Sequence, residues 1–527
     1  MAYLLWQYLQ DSAGRYPDRP ALAWKGESLS YRELDEQSTR VANVLTRSGI
    51  GRGARVGLYL PKSPRAVAAI LGVLKSGAAY VPIDPSAPPL RAAYILQNCA
   101  VAGLVTTGRK LSGFRDCASD LRCIRTLLLA DDGPENVTLP SAEAHGWDAL
   151  AALPSERRLA EPGIETDPAY ILYTSGSTGN PKGVILSHRN ALAFVEWGAD
   201  TFAVSHEDRL SNHAPFHFDL SVFDLYVALR AGACMSIVPD AIAPFPMELA
   251  RWIDVERITV WYSVPSALTR LLLHGDLDRF GYGTLRTVLF AGEVFPVKYL
   301  RALMRRLPRT EFFNLYGPTE TNVCTYYKVP DLPDDRTEDI PIGAACANTE
   351  VFAVDDADRL VPPGETGELL VKGPTVMMGY WSLPDRTDQV LVKNPLQPAY
   401  HEFVYRTGDS VRVGDDGQYL YVGRKDNMVK SRGYRIELGE IEQTLYLHEH
   451  VKEAVVLALP DDEVGSRLSA VVVLHDGHAT TRTELQAFCA TRLPKYMVPE
   501  EFAFKDELPR TSTGKADRVA LKRDLGR

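Results

Sequence analysis

The sequence contains no CxxC pair, no cysteine cluster of the metal-binding kind, no long Lys/Arg block and no apolar run approaching a membrane span. Each absence removes a class of protein. Its seven cysteines (Cys99, Cys117, Cys123, Cys234, Cys324, Cys346 and Cys489) are odd in number and widely spaced. That argues against a disulfide framework and for reduced thiols in a cytoplasm. A formal net charge of -9 without a basic block leaves a nucleic-acid role unsupported. No membrane association is expected, since no segment has the length of a spanning helix. The opening MAYLLWQYLQDSAGRYPDRP lacks a basic lead and soon meets Asp11 and Arg15, so it reads as a helix and not as a signal peptide.

What is present is a long chain with ample core-forming material. At 527 residues, 45% of them hydrophobic, it exceeds what one compact core usually holds, so two or more domains are expected. Short apolar runs at 55–60, 79–83, 102–107, 169–174, 234–239, 259–264 and 287–292 read as buried strands. Helix-like stretches such as 66–77 and 247–258 separate them, and this alternation predicts parallel sheets with helices on both faces. From about 350 onward short strands and Gly/Asp turns dominate, as in 367–373 and 404–426, which predicts a β-rich unit. The end of the chain reads as a helix at 435–450, strands at 453–460 and 467–474, and a helix at 482–493, a small α+β unit. A boundary within 421–429 divides the chain into an expected N-terminal domain, 1–424, and a C-terminal domain, 425–527.

The stretch YTSGSTGNPKGV (173–184) carries chemistry. Small residues let backbone N–H groups of Gly176 and Gly179 converge on an anion. The hydroxyls of Thr174, Ser175, Ser177 and Thr178 add donors, and Lys182 adds a charge. The loop lacks the Gly-Lys-Ser/Thr ending of the common ATPase loop. An apolar strand leads in, and a strand and then a helix follow, which favours a phosphate loop over a Ser/Gly-rich linker.

YTSGSTGNPKGVILSHRN resembles the phosphate loop of the adenylate-forming superfamily, which includes acyl-CoA synthetases, luciferases and peptide-synthetase adenylation domains. The superfamily's other signature segments follow in order: 29–45, LKSGAAYVPIDP, FHFDLS, NLYGPTE, GELLVKGPTVMMGYW, YRTGD, GRKDNMVKSRGYRIELGEIE, LPKYMVP and TSTGKADR. The match spans nearly the whole chain. The resemblance implies an α/β fold: a large N-terminal domain of two doubly wound αβ subdomains plus a β-rich subdomain, and a small mobile α+β lid. It implies ATP and Mg2+ as cofactors. Thr174 to Lys182 would hold the β- and γ-phosphates, Thr319 the α-phosphate and Glu320 the metal. Asp409 would accept the ribose hydroxyls, Arg424 would reach the ribose, and Tyr316 would stack on adenine. Lys515 would be the catalytic lysine, bridging the substrate carboxylate and the developing adenylate. Asp426 would be the hinge about which the lid turns, withdrawing Lys515 and bringing the SRGYRIELGE face to the site for thiol attack.

An amino-acid substrate needs a carboxylate for its ammonium in a partly desolvated pocket. Asp219 occupies the position that amino-acid-activating relatives use, Asp224 is a rival, and a helix N-cap is the plainer role for Asp219. Aligned to the family's specificity positions, the pocket reads Asp219, Leu220, Phe223, Tyr262, Leu289, Ala291, Leu315, Val323, Cys324 and Lys515. Apart from its charged ends it is apolar, so a small to medium apolar side chain is expected. The pattern resembles that of stand-alone enzymes that load L-proline onto a carrier protein, with Phe223 in place of a leucine. D-Alanine–carrier protein ligases and β-amino-acid-activating ligases are alternatives, and an acyl- or aryl-CoA ligase is the alternative of another class. No segment resembles a carrier domain's phosphopantetheine serine motif or a condensation HHxxxDG. The thiol acceptor is therefore expected to be a separate phosphopantetheinylated peptidyl carrier protein.

Overall fold

The apolar runs pair into two large sheets, as seen in a computed structural model that describes residues 2–131, 139–156, 163–176, 179–425, 428–461, 463–510 and 516–525. In the nine-stranded sheet the spatial order is Ala344–Ala345, Thr325–Lys328, Glu311–Tyr316, Thr287–Ala291, Val260–Ser263, Arg209–Asn212, Cys234–Ile237, Pro20–Trp24 and Glu27–Ser30. Its inner strands are parallel, and antiparallel strands finish both edges. The eight-stranded sheet runs Gly379–Tyr380, Lys182–Ser187, Pro168–Thr174, Ala79–Pro82, Arg55–Tyr59, Gly103–Thr106, Thr126–Leu129 and Glu143–Gly146. One hydrophobic core reaches both sheets, joining Val56, Tyr170 and Leu172 to Leu210, Tyr262 and Leu289 with Phe194 and Trp197 of the helix His188–Thr201.

Local sequence explains the helices that pack these sheets. Tyr31–Arg47 starts at a capping box, in which Ser30 and Glu33 satisfy each other's backbone N–H groups. It lies against Pro64–Lys75, of which every residue from Ala66 to Lys75 is buried. Gly72 permits that approach, because a Cβ there would sit 2.5 Å from Val41.

An antiparallel sheet follows, built from Glu350–Val354, Thr366–Lys372, Phe403–Val413 and Leu391–Lys393, with Tyr419–Arg424 paired to Phe403–Val413. The C-terminal unit opens with the hairpin Met428–Ser431 and Tyr434–Glu437. It continues with the helix Leu438–Tyr446 and the sheet Val451–Asp461, Gly465–Leu474 and Glu501–Phe504. The architecture is thus α/β, with two αβ units, a β-rich unit and a small α+β unit. The expected strand, loop, strand and helix order around the phosphate loop is present, with the two strands paired antiparallel and the helix beginning at His188. One expectation changes. Residues 434–437 are a strand and not the start of a helix, because Arg432 and Gly433 both take positive φ (54° and 80°) and fold the chain back on 428–431. Among the described residues no helix is long and apolar enough to cross a membrane.

Candidate active site

Strand ends of both large sheets, the β-rich unit and the C-terminal hairpin converge on one cavity of about 100 Å3. Of the residues expected in the site, Thr174, Ser175, Asp219, Leu220, Tyr262, Ala291, Thr319, Val323, Asp409 and Arg424 line it. Four expected pocket residues do not. Phe223, Leu289 and Cys324 are buried away from that lining, and Leu315 lines an adjoining cavity beside Tyr316. Phe223 packs edge-on against Tyr262 at 5.6 Å between centroids, within a cluster that includes Phe194 and Phe202. It shapes the pocket through Tyr262.

Asp219 precedes the short helical turn Leu220–Val222 but makes no side-chain capping bond. Its carboxylate accepts instead from the Thr319 hydroxyl at 2.8 Å. Burial raises its pKa, with Thr319 and the Lys430 ammonium opposing. No described ion pair holds it. Asp224 lies elsewhere: on the π-helical turn Phe223–Val227 it is 1% exposed and accepts from Asn212 Nδ2 at 3.2 Å. Burial pushes its pKa well up, so it favours the neutral form.

Asp409 is a strand residue within Phe403–Val413. It accepts from the Tyr316 hydroxyl and, at 2.7 Å, from Arg424 Nη1. The three residues expected around the nucleoside are therefore in contact. The Tyr316 ring faces an adjoining 550 Å3 cavity that also includes Gly292, Arg424 and Lys430.

Glu320 has no exposed surface. It accepts from Tyr380 Oη at 2.7 Å and from Arg435 Nη1 at 2.7 and 2.8 Å, with Lys182 Nζ at 3.5 Å. Burial alone would raise its pKa, but Arg435 and Lys182 outweigh it and hold the carboxyl far below its usual range. Burial, then Arg435, pulls Lys182 down to about 8. An ionised, enclosed carboxylate beside a phosphate loop suits a hard divalent cation. Among the described residues no group of three or more His, Cys, Asp and Glu side chains is gathered, so such a cation would complete its shell from phosphate oxygens and water.

The C-terminal hairpin closes the phosphate loop. Ser175 Oγ donates to Arg435 O at 2.7 Å and accepts from Glu437 N at 3.2 Å. Gly176 N donates to Glu440 Oε2 at 3.2 Å, and Gly433 N donates to Glu293 Oε1 at 2.6 Å. Gly179 sits against Gln443. Lys430, Tyr434, Arg435 and Tyr496 join the cavity wall. Sequence reading assigned none of these four, nor Tyr380, an individual role, although Tyr434 and Arg435 fall in the SRGYRIELGE face expected to serve the thiol. Their only signal was membership in segments quoted for the resemblance, since each acts through a partner distant in the chain. Ser177, Thr178, Asp426 and Lys515 lie outside the described residues.

Comparison with known proteins agrees with this geometry. Residues 9–381 match the family described as AMP-binding enzyme, and residues 440–515 match the AMP-binding enzyme C-terminal domain. An L-proline–[L-prolyl-carrier protein] ligase of Pseudomonas fluorescens is 39% identical over 525 residues, covering 99% of each chain. A ligase of the same name from Streptomyces coelicolor is 40% identical over 526 residues, covering 98% of this chain and 95% of that one. In three dimensions the amide bond synthetase McbA of Marinactinospora thermotolerans superposes with a TM-score of 0.86 at 25% identity, covering 99% of both chains. With both of its units matched in order and relatives aligned from end to end, the chain belongs to the AMP-binding enzyme family.

Proposed function

We propose that this protein activates L-proline with ATP and passes the prolyl group to the phosphopantetheine thiol of a separate carrier protein. The observation that carries the reading is Asp219. It is a carboxylate at the wall of a small, largely apolar cavity, held by a hydroxyl and by no described ion pair. An ammonium is the cation that chemistry asks for there, and the secondary ammonium of proline supplies one. Leu220, Tyr262, Ala291 and Val323 offer an apolar wall for a pyrrolidine ring. The activity named for the two full-length relatives supports the same choice.

In this reading a carboxylate oxygen of proline attacks the α-phosphorus of ATP. The bond to the β-bridging oxygen breaks, and pyrophosphate leaves with that electron pair. Asp219 orients the amine, so the carboxylate faces Thr319 and the α-phosphate. Gly176, Ser175 and Lys182 hold the departing phosphates, Asp409 and Arg424 hold the ribose, and Tyr316 borders the adenine. Glu320 would hold Mg2+, which withdraws charge from the phosphate oxygens. Lys515 is assigned to bridging substrate carboxylate and phosphate, and Asp426 to the hinge between units 1–424 and 425–527. A carrier thiolate then attacks the prolyl carbonyl, and AMP leaves as the thioester forms.

The basic helix Val297–Arg306 is a weak docking surface for the acidic carrier expected here, because Arg305 and Arg306 are paired with Asp334 and Asp278 of the same chain. The test is ATP–pyrophosphate exchange over L-proline, D- and L-alanine, β-amino acids and benzoates. Exchange confined to acids without an amine would overturn the Asp219 reading. Preference for D-alanine or a β-amino acid would replace proline while keeping the chemistry.

A further inference from the structure

Phe223 stands where the proline pattern carries a leucine, and a larger side chain at that place should narrow a proline pocket. The added volume goes elsewhere. Phe223 has no exposed surface and does not reach the cavity. Its ring lies against Gly198 of the helix His188–Thr201, where a Cβ would meet Phe223 Cε2 at 3.0 Å and Cδ2 at 3.2 Å. Val227, at the far end of the π-helical turn that begins at Phe223, would meet the same Cβ at 3.7 Å. Glycine is a poor helix former, and Gly198 is buried with no left-handed backbone to call for it. What its missing side chain supplies is room for the Phe223 ring.

The same ring bears on the substrate wall. It meets Tyr262 edge-on at 5.6 Å between centroids, with Phe202 at 5.8 Å and Phe194 at 6.3 Å around it. Tyr262 lines the cavity together with Asp219. Packing positions that phenol, since among the described residues its hydroxyl has no hydrogen-bond partner. A chain of contact therefore runs from Gly198 through Phe223 and Tyr262 to the cavity.

We propose that Gly198 and Phe223 are a matched pair of positioning residues that set the ring size of the amino acid this enzyme accepts. Gly198 decides how far back the Phe223 ring sits. Phe223 decides how far Tyr262 stands into the cavity, and Tyr262 bounds the room beside Asp219. A close-packed interior passes such a displacement on instead of absorbing it. A methyl group at 198 drives Tyr262 inward by a few tenths of an ångström, and a shorter side chain at 223 lets it withdraw. The inference rests on the proposed function and deepens it, because it names the residues that measure a cyclic secondary amino acid without touching it. Gly198 lies outside every segment that carries the family resemblance, so no motif points to it.

The experiment is ATP–pyrophosphate exchange by the full chain with L-azetidine-2-carboxylate, L-proline and L-pipecolate, which have rings of four, five and six members. Wild type, Gly198→Ala, Phe223→Leu and the double variant are compared. Gly198→Ala is expected to raise the azetidine-to-proline ratio of kcat/KM about 5-fold, and Phe223→Leu to raise the pipecolate-to-proline ratio about 5-fold. The double variant should return both ratios to within about 2-fold of wild type. Each single variant should also melt below wild type, one by crowding and the other by leaving a void, and the double variant should recover. A merely structural role predicts the same loss for all three acids, and that result would overturn the proposal. A double variant that melts below both single ones would show two independent residues and overturn the pairing. Should Gly198→Ala fail to fold, Phe223→Leu still decides: an unchanged pipecolate-to-proline ratio refutes the proposal. Preference of wild type for a different amino acid would remove proline alone, and the ratios would then be read on that acid and its homologues one methylene shorter and longer.

Discussion

Two carboxylates in one cleft, Asp219 and Glu320, are driven in opposite directions. Asp219 has a hydroxyl partner at 2.8 Å, and burial raises its pKa. Glu320 is more deeply buried, yet Arg435 and Lys182 hold its pKa far down. The difference shows that burial alone does not decide ionisation; the decisive matter is whether the protein supplies the counter-charge itself. Glu320 has cations of its own chain. Among the described residues no cation is ion-paired with Asp219, although the Lys430 ammonium opposes its rise, and in the proposed reading the substrate amine supplies the counter-charge.

The largest effect should come from breaking the self-supplied side. In Glu320→Gln, Arg435 and Lys182 face each other in a buried place without their anion, a loss of roughly 3 kcal/mol by analogy with broken buried pairs. A lower melting temperature, faster exchange across 428–437 and adenylation reduced by more than about 100-fold are the expected readouts. Breaking the other side should leave stability nearly intact and act on substrate. Asp219→Asn is expected to lower kcat/KM for L-proline about 100-fold, the equivalent of roughly 3 kcal/mol for a charge-assisted contact. Pyrophosphate exchange at varied proline concentration measures it.

A pH profile sharpens the contrast. Because the raised pKa of Asp219 means its proton is held more tightly in the folded chain, the stability it contributes is fullest in acid and declines as pH rises through the folded value. Capture of an ammonium needs the ionised form, so kcat/KM should fall on acidification at a pH above the ordinary aspartate value of about 3.9. Glu320, depressed, contributes stability above its unfolded value and keeps it until far lower pH. The smallest effect is expected at Asp224. Its pKa is raised well above the usual value by burial, so Asp224→Asn should change the KM for proline by less than about 2-fold. The variant should gain in relative melting temperature as pH rises, since only the wild-type carboxyl must then ionise in a buried site. A large KM effect there would move the amine contact to Asp224.

Much of this was readable in the chain. The strands at 55–60, 79–83, 102–107 and 287–292 appear within a residue or so of their apolar runs, because a buried parallel strand must be apolar on both faces. The hairpin strand Tyr434–Glu437 was hidden, since RIELGEIE carries helical spacing and the strand exists only by pairing with 428–431. Asp219 and Asp224 stand five residues apart, and sequence cannot tell which faces a cavity. The π-helical turn beginning at Phe223 carries Asp224 toward Asn212. Phe223, Leu289 and Cys324 stand within a few residues of lining residues in the chain, yet their depth depends on how two sheets meet. The contact between Glu320 and Arg435 crosses 115 positions, a separation no local pattern encodes.

Gly179 has a consequence of another kind. Its φ of +81° already discourages any side chain, and an added Cβ would overlap Gln443 of the helix Leu438–Tyr446. In the proposed reading the same glycine belongs to the loop that holds the departing phosphates, and it also lies against the helix of the C-terminal unit. A methyl group there, in Gly179→Ala, would wedge the enzyme ajar after its first step. The aminoacyl adenylate would then be lost to water and not handed on, so that ATP is consumed without product.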